Sequence, residues 1–117
     1  MYGNYFKFSE LVKTDTKLDN SVDTDSHLVN LASLWNTLNY FRHELGRPII
    51  INSAFRTPEV NKAVGGAKRS LHMQGRAADI TCEPMYFEQL WKIICSYDKS
   101  YGLSEKILYS TFIHIAI

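Results

Sequence analysis

Ser70-Leu71-His72-Met73-Gln74-Gly75-Arg76-Ala77-Ala78-Asp79 runs from an aperiodic loop, through a glycine, into an apolar segment that continues as Ile80-Thr81-Cys82. Residues 77–82 have the composition of a buried strand, yet Asp79 stands in the middle of them. A carboxylate in a core strand is costly unless a partner or a metal satisfies it. Alone, Asp79 reads as a hydrogen-bonded structural aspartate. A second segment repeats the puzzle: in Phe112-Ile113-His114-Ile115-Ala116-Ile117 the histidine is the single polar side chain. Alone, it reads as a satisfied core histidine. One Zn²⁺ held by His72, Asp79 and His114 explains both intrusions together with the loop histidine. Hydrolytic zinc sites keep three protein ligands, usually His nitrogens and carboxylate oxygens, and one open position.

The two apolar segments need partners, and the rest of the chain supplies them. Residues 105–109 precede 112–117 with only Ser110-Thr111 between them, which predicts a tight hairpin. Ile49-Ile50-Ile51, after Arg47-Pro48, is a β-branched run expected to form a buried strand. Residues 27–45 carry Leu28, Leu31, Leu34, Trp35, Leu38, Phe41 and Leu45 at three- and four-residue steps, the pattern of an amphipathic helix. Asp25 or Ser26 would cap its start and Gly46 would end it. Residues 85–97 form a further helix with Phe87, Leu90, Trp91, Ile93 and Ile94 on its apolar face. Thr57-Pro58 opens a short helix that stops at Gly65-Gly66. Residues 5–13 give an extended lead-in and one helical turn capped by Ser9, and residues 14–26 a polar surface loop. The expected fold is α+β, a small, largely antiparallel sheet flanked by helices, with residues 1–117 forming a single domain.

Composition agrees with a folded core: apolar residues are 45% and charged residues 21%, ordinary globular values. Thirteen basic and twelve acidic residues leave a net charge of +1, with no basic stripe to neutralise phosphates. Nucleic acid is therefore not an expected partner. No run of about 18 apolar residues is present, so membrane insertion is not expected. Met1-Tyr2-Gly3-Asn4-Tyr5-Phe6-Lys7 lacks the basic-then-apolar pattern of a secretory signal, and synthesis in the cytoplasm is expected. Cys82 and Cys95 have no partners at metal-ligand spacing and read as reduced thiols. His27 and His43, on the first long helix, read as solvated. A monomer is expected.

These segments, in this order, resemble the zinc D-Ala-D-Ala carboxypeptidase and L,D-endopeptidase family of peptidoglycan hydrolases over nearly the whole chain. Phe8-Ser9-Glu10-Leu11 is similar to its first segment, and residues 30–42 to its first core helix. Residues 48–57, ending Asn52-Ser53-Ala54-Phe55-Arg56-Thr57, resemble its strand and arginine turn, and Val60-Asn61-Lys62-Ala63-Val64-Gly65-Gly66 its asparagine and double-glycine loop. The most specific likeness is residues 70–79, with the Ser-x-His, Gly, Ala, Asp metal motif, followed by the last-ligand strand at Phe112-Ile113-His114-Ile115. The resemblance implies Zn²⁺ on His72, Asp79 and His114, and Arg56 facing substrate and transition-state charge, for which a fixed guanidinium fork is suited. Arg56 has a structural alternative, bonding the loop that follows it. Ser53 and Ser70 are expected to shape the substrate-binding site rather than attack the substrate. The implied substrate is the stem peptide of peptidoglycan, in a bacterial or bacteriophage setting, with action on the wall after release or export.

The pattern breaks at the general base. Members of the family commonly place a glutamate three positions before the last histidine, or at the end of the preceding strand, where this chain has Thr111 and Tyr109. Across a two-residue turn, strand alternation puts Glu105, Tyr109 and His114 on one face, with Glu105 toward the far end of the hairpin. Tyr109 and Glu105 are thus the expected catalytic partners of Arg56. The competing expectation is a zinc-containing wall-binding or structural module that has lost hydrolysis.

Overall fold

In a computed structural model, residues 3–22 and 24–117 are described; Met1 and Tyr2, the first residues of the leader reading, and Asp23 of the polar loop lie outside them. The helix read from the leucine stripe is α2, Asp25–Leu45, after a one-turn α1 at Phe8–Leu11. Leu31, Leu34, Leu38, Phe41 and Leu45 are buried, as the three- and four-residue spacing predicts. Each such side chain contributes about 1.5–3 kcal/mol on burial. Leu28 departs from the stripe and is exposed beside Phe8. The cap of α2 is Thr24, whose hydroxyl accepts from the His27 amide at 3.2 Å, rather than Asp25 or Ser26. Gly46 ends the helix at φ 68°. In α1 the cap is Lys7 and not Ser9, because the Glu10 carboxylate reaches back to accept from the Lys7 amide at 2.9 Å.

Four strands, β1 Ile50–Ser53, β2 Ala77–Thr81, β3 Glu105–Leu108 and β4 Ile113–Ala116, form one antiparallel sheet in the order β1-β2-β4-β3. The expected α+β class is what the chain adopts. Helix α3, Pro58–Ala63, is capped by the Thr57 hydroxyl as expected, and α4 runs from Pro84 to Tyr101, four residues beyond the expected end. The Asp98 carboxylate accepts from the Leu103 amide at 2.7 Å and pairs with Lys106 of β3, which ties the end of α4 to the hairpin.

Register explains the two polar intrusions. Ala78 pairs with Ile115 and Ile80 with Ile113, and these join Ile51 and the buried side chains of α2 and α4 in one core. Asp79 pairs with His114 between them. Successive strand side chains alternate faces, so both polar groups lie on the sheet face turned away from the core. They were never in the apolar layer. On β1 the pairing skips from Ile51 opposite Ile80 to Ser53 opposite Asp79, which makes Asn52 the extra residue of a β-bulge. The bulge keeps Ile51 in the core while turning Ser53 to the Asp79 face. Ile51 faces the core, so its neighbour Ile50, opposite Thr81, points to the other face and is exposed where a buried strand was expected.

The hairpin has the expected register: the Tyr109 amide donates to the Phe112 carbonyl at 2.9 Å, and Ile107 faces His114. Among the described residues no side-chain-bearing residue has positive φ, so Ser110-Thr111 is not one of the primed turns that usually close such loops. The Thr81 hydroxyl holds it instead, donating to the Thr111 carbonyl at 2.8 Å.

Residues 71–74, read as irregular, form a 3₁₀ turn that ends at Gly75. Gly75 has φ 73°, and a Cβ there would lie 3.0 Å from the His27 carbonyl and 3.1 Å from Leu31 Cγ. Gly75→Ala is expected to destabilise the fold by at least about 1–2 kcal/mol, the cost of a left-handed side-chain-bearing residue. Urea unfolding measures it, and an unchanged midpoint would show that the turn does not need the glycine.

Candidate metal centre

Local folding brings His72, Asp79 and His114 together. The Ser70 hydroxyl accepts from the His72 amide at 3.2 Å and starts the 3₁₀ turn that projects the imidazole inward. Asn30 of α2 donates to the Gln74 carbonyl at 2.8 Å and docks that turn on the helix. The Arg56 amide donates to the His72 carbonyl at 3.0 Å, joining the arginine loop to the histidine turn. Strand pairing does the rest, setting Asp79 opposite His114.

One ligand atom from each of the three side chains lies within 4.8 Å of the other two. Asp79 Oδ1 stands 3.3 Å from His72 Nε2 and 2.8 Å from His114 Nδ1. The remaining nitrogens are both anchored: His72 Nδ1 on the Ala54 carbonyl at 2.6 Å, and His114 Nε2 on Glu105 Oε1 at 2.8 Å. A carbonyl only accepts, so Nδ1 of His72 carries the proton and, in the neutral ring, Nε2 presents its lone pair to the cluster. Two nitrogens and one carboxylate oxygen, with outer nitrogens held by acceptors, are the donor set of an open zinc site. The side chains fit the Zn²⁺ expected from the sequence.

Electrostatics follow from these contacts. Burial opposes ionisation of Asp79, but hydrogen bonds and charge from His114 and His72 outweigh it and hold the carboxyl well below the usual carboxylate range. The hydrogen bond to Asp79 raises the pKa of His114, burial opposes this, and Glu105 adds to the rise. Burial lowers the pKa of Arg56, and Asp79 partly offsets it.

Arg56 lies against the same carboxylate. Its Nη2 donates to Asp79 Oδ2 at 3.3 Å, its Nε to Ser53 Oγ at 3.0 Å and its Nη1 to Asn61 Oδ1 at 3.3 Å. The structural alternative placed this bond on the loop that follows Arg56; the contact made is instead with Asn61 on helix α3. Three of the five guanidinium N–H groups are thereby engaged and two are left. The double glycine has two separate reasons: Gly65 takes φ 70°, whereas a Cβ at Gly66 would lie 2.1 Å from Asn61 Oδ1 and 2.9 Å from Arg56 Nη1.

Arg56, Ser70, His72, Asp79, Tyr109 and His114 line one open cleft of about 230 Å³. Tyr109 stacks on Phe112 with centroids 4.5 Å apart and forms the hairpin wall of the cleft. Ser53 supports Arg56 and is not among the lining residues, and neither is Glu105. Glu105, expected toward the far end of the hairpin, reaches diagonally across to His114. His43 is exposed as expected, but His27 is half-buried against Phe55, with ring centroids 5.3 Å apart. Neither joins the cluster. Cys82 and Cys95 are free thiols, and burial raises the pKa of the first.

Two further groups carry little signal in the sequence. Asn20, inside the polar loop, donates to the Val12 and Phe55 carbonyls at 2.9 and 2.8 Å and accepts from the Thr57 amide at 2.9 Å, so it pins the arginine loop. Asn61 is buried between Arg56 and the Ala67 carbonyl, to which it donates at 2.9 Å. Its place beside the double glycine was the available clue.

A His-Asp-His centre built on the face of an antiparallel sheet that is turned away from the core defines a class, and residues 4–116 match the family described as Peptidase M15. The chain belongs to that family. It is also similar to the zinc D-Ala-D-Ala carboxypeptidase of Streptomyces albus G, at 45% identity over 51 residues. That segment is 43% of this chain and only 20% of the longer relative. Among the described residues no helix is long and apolar enough to cross a membrane.

Proposed function

We propose that this chain is a zinc-dependent peptidase acting on the stem peptides of peptidoglycan. The observation that carries it is the convergence of His72 Nε2, Asp79 Oδ1 and His114 Nδ1 in an open cleft that also contains Arg56. Family membership and the relative's printed activity support it. A zinc ion held by these three residues would supply Lewis acidity to the scissile carbonyl and to water. Arg56 offers its two uncommitted N–H groups to a substrate carboxylate or to the developing oxyanion. Tyr109, which lines the same cleft, would donate its phenol O–H to the developing oxyanion. Asp79 divides its oxygens, Oδ1 toward the two imidazoles and Oδ2 toward Arg56, and so fixes the arginine relative to the ligands. In a bacterial or phage setting the protein would act on the wall once released or exported.

One observation favours a second reading, a zinc-containing wall-binding module without hydrolysis. The positions where the family pattern places a glutamate hold Thr111 and Tyr109, and Glu105 does not line the cleft. Mass spectrometry of muropeptides incubated with the zinc-loaded and the chelated protein separates the two. New amine termini that require zinc are the expected outcome. Retention on isolated walls with bound zinc and no cleavage would establish the second reading, and full cleavage by metal-free protein would end the first.

A further inference from the structure

We propose that Glu105 is a positioning residue that holds the His114 imidazole in its ligating orientation, and is not the general base. The inference rests on the metal reading of the site. An imidazole presents its two nitrogens in divergent directions, and His114 uses both: Nδ1 toward Asp79 Oδ1 and Nε2 toward Glu105 Oε1, each at 2.8 Å. The nitrogen that joins the cluster is therefore Nδ1, and Glu105 sits behind the ring. A base must reach the proton it removes within hydrogen-bond distance, directly or through one water. Glu105 instead places its near oxygen on the far side of a ligand and is absent from the cleft lining.

The hairpin explains how it arrives there. Ile107 directly faces His114, while Glu105 faces Ala116, two residues further along β4. The small Ala116 leaves room for the longer Glu105 side chain to cross on the diagonal, a distance that long side chains span. Lys106, the neighbouring cation, is directed to Asp98 and does not compete for the carboxylate. The other imidazole is held in the same manner, with the Ala54 carbonyl behind His72. Each histidine thus has an acceptor on its outer nitrogen that fixes ring plane and protonated atom, the arrangement that tunes ligand strength at zinc sites.

The experiment measures zinc affinity of the full chain by competition with a chromogenic chelator for wild type, Glu105→Gln and Glu105→Ala. Glu105→Ala is expected to weaken zinc binding by about 10–100-fold, the usual effect of removing such a partner. Glu105→Gln should retain most of the affinity, because its amide oxygen still accepts from Nε2–H. Both variants should fold, since Glu105 is 43% exposed on its side chain, and circular dichroism checks this. Imidazole ¹H–¹⁵N spectra give a readout independent of metal: the His114 Nε2–H signal should persist in the Gln variant and be lost to exchange in the Ala variant. Equal zinc affinity in all three proteins would overturn the proposal, as would a Gln variant as weak as the Ala variant. A wild-type protein without zinc affinity would instead overturn the underlying metal reading, and this role with it.

Discussion

Replacing Asp79 with asparagine, or His72 with alanine, is expected to strip the protein of zinc and to lower peptide hydrolysis by at least about 10³-fold, since the metal supplies several kcal/mol of transition-state stabilisation and each 1.36 kcal/mol is a factor of ten. Asp79→Asn is the cleaner variant. It keeps the side-chain volume and removes the anion on which both imidazoles and Arg56 converge. His72→Ala removes a buried ring and leaves the Ala54 carbonyl without its donor, so some loss of stability accompanies the loss of metal. Elemental analysis after dialysis reads the zinc, and muropeptide digestion at saturating zinc reads the activity. A folded Asp79→Asn protein with stoichiometric zinc and full activity would remove the basis for treating these three residues as one centre.

Two of the three candidate ligands, Asp79 and His114, were legible because they violate strand composition, and His72 through the motif that leads into Asp79. Asp79 and His114 interrupt segments that are otherwise apolar, and the interruption is visible without any knowledge of pairing. What the sequence conceals is the reason the interruption is tolerated. The segments look like core strands from both sides, and only the pairing of Ala78 with Ile115 and Ile80 with Ile113 assigns one face to the core and the other to the site. Helix α2 was legible from its leucine stripe, but not its first residue, because Thr24, Asp25 and Ser26 are all competent caps and backbone geometry chooses among them. The bulge at Asn52 left no mark, since Ile49-Ile50-Ile51-Asn52-Ser53 reads as an unbroken run. Asn20 was equally silent: its three hydrogen bonds reach backbone far away in sequence, and a polar residue in a polar loop has no periodicity to betray it. The reach of Glu105 depends on the smallness of Ala116 opposite it, a fact that needs the register first.

Arg56→Lys is expected to lower kcat/KM at saturating zinc by about 10²–10³-fold, the range seen when one donor to a developing oxyanion is removed. Lysine keeps the charge but not the fork. It cannot satisfy Ser53, Asn61 and Asp79 together and still present two donors to a substrate, so a point charge on a flexible stem replaces a fixed plane. The purely structural role of Arg56, bonding the helix that follows, predicts something else: a lower melting temperature with kcat/KM unchanged in the protein that remains folded. Gly66→Ala separates the two from a distance, because the nearest atoms its Cβ would meet are Asn61 Oδ1, which it would overlap, and Arg56 Nη1, which it would crowd. If Arg56 acts on substrate, displacing its clamp lowers kcat/KM in the same direction as Arg56→Lys while zinc content stays stoichiometric. If kcat/KM in the folded Arg56→Lys protein equals that of wild type, the arginine belongs to the scaffold, and substrate charge must be met by another group in the cleft.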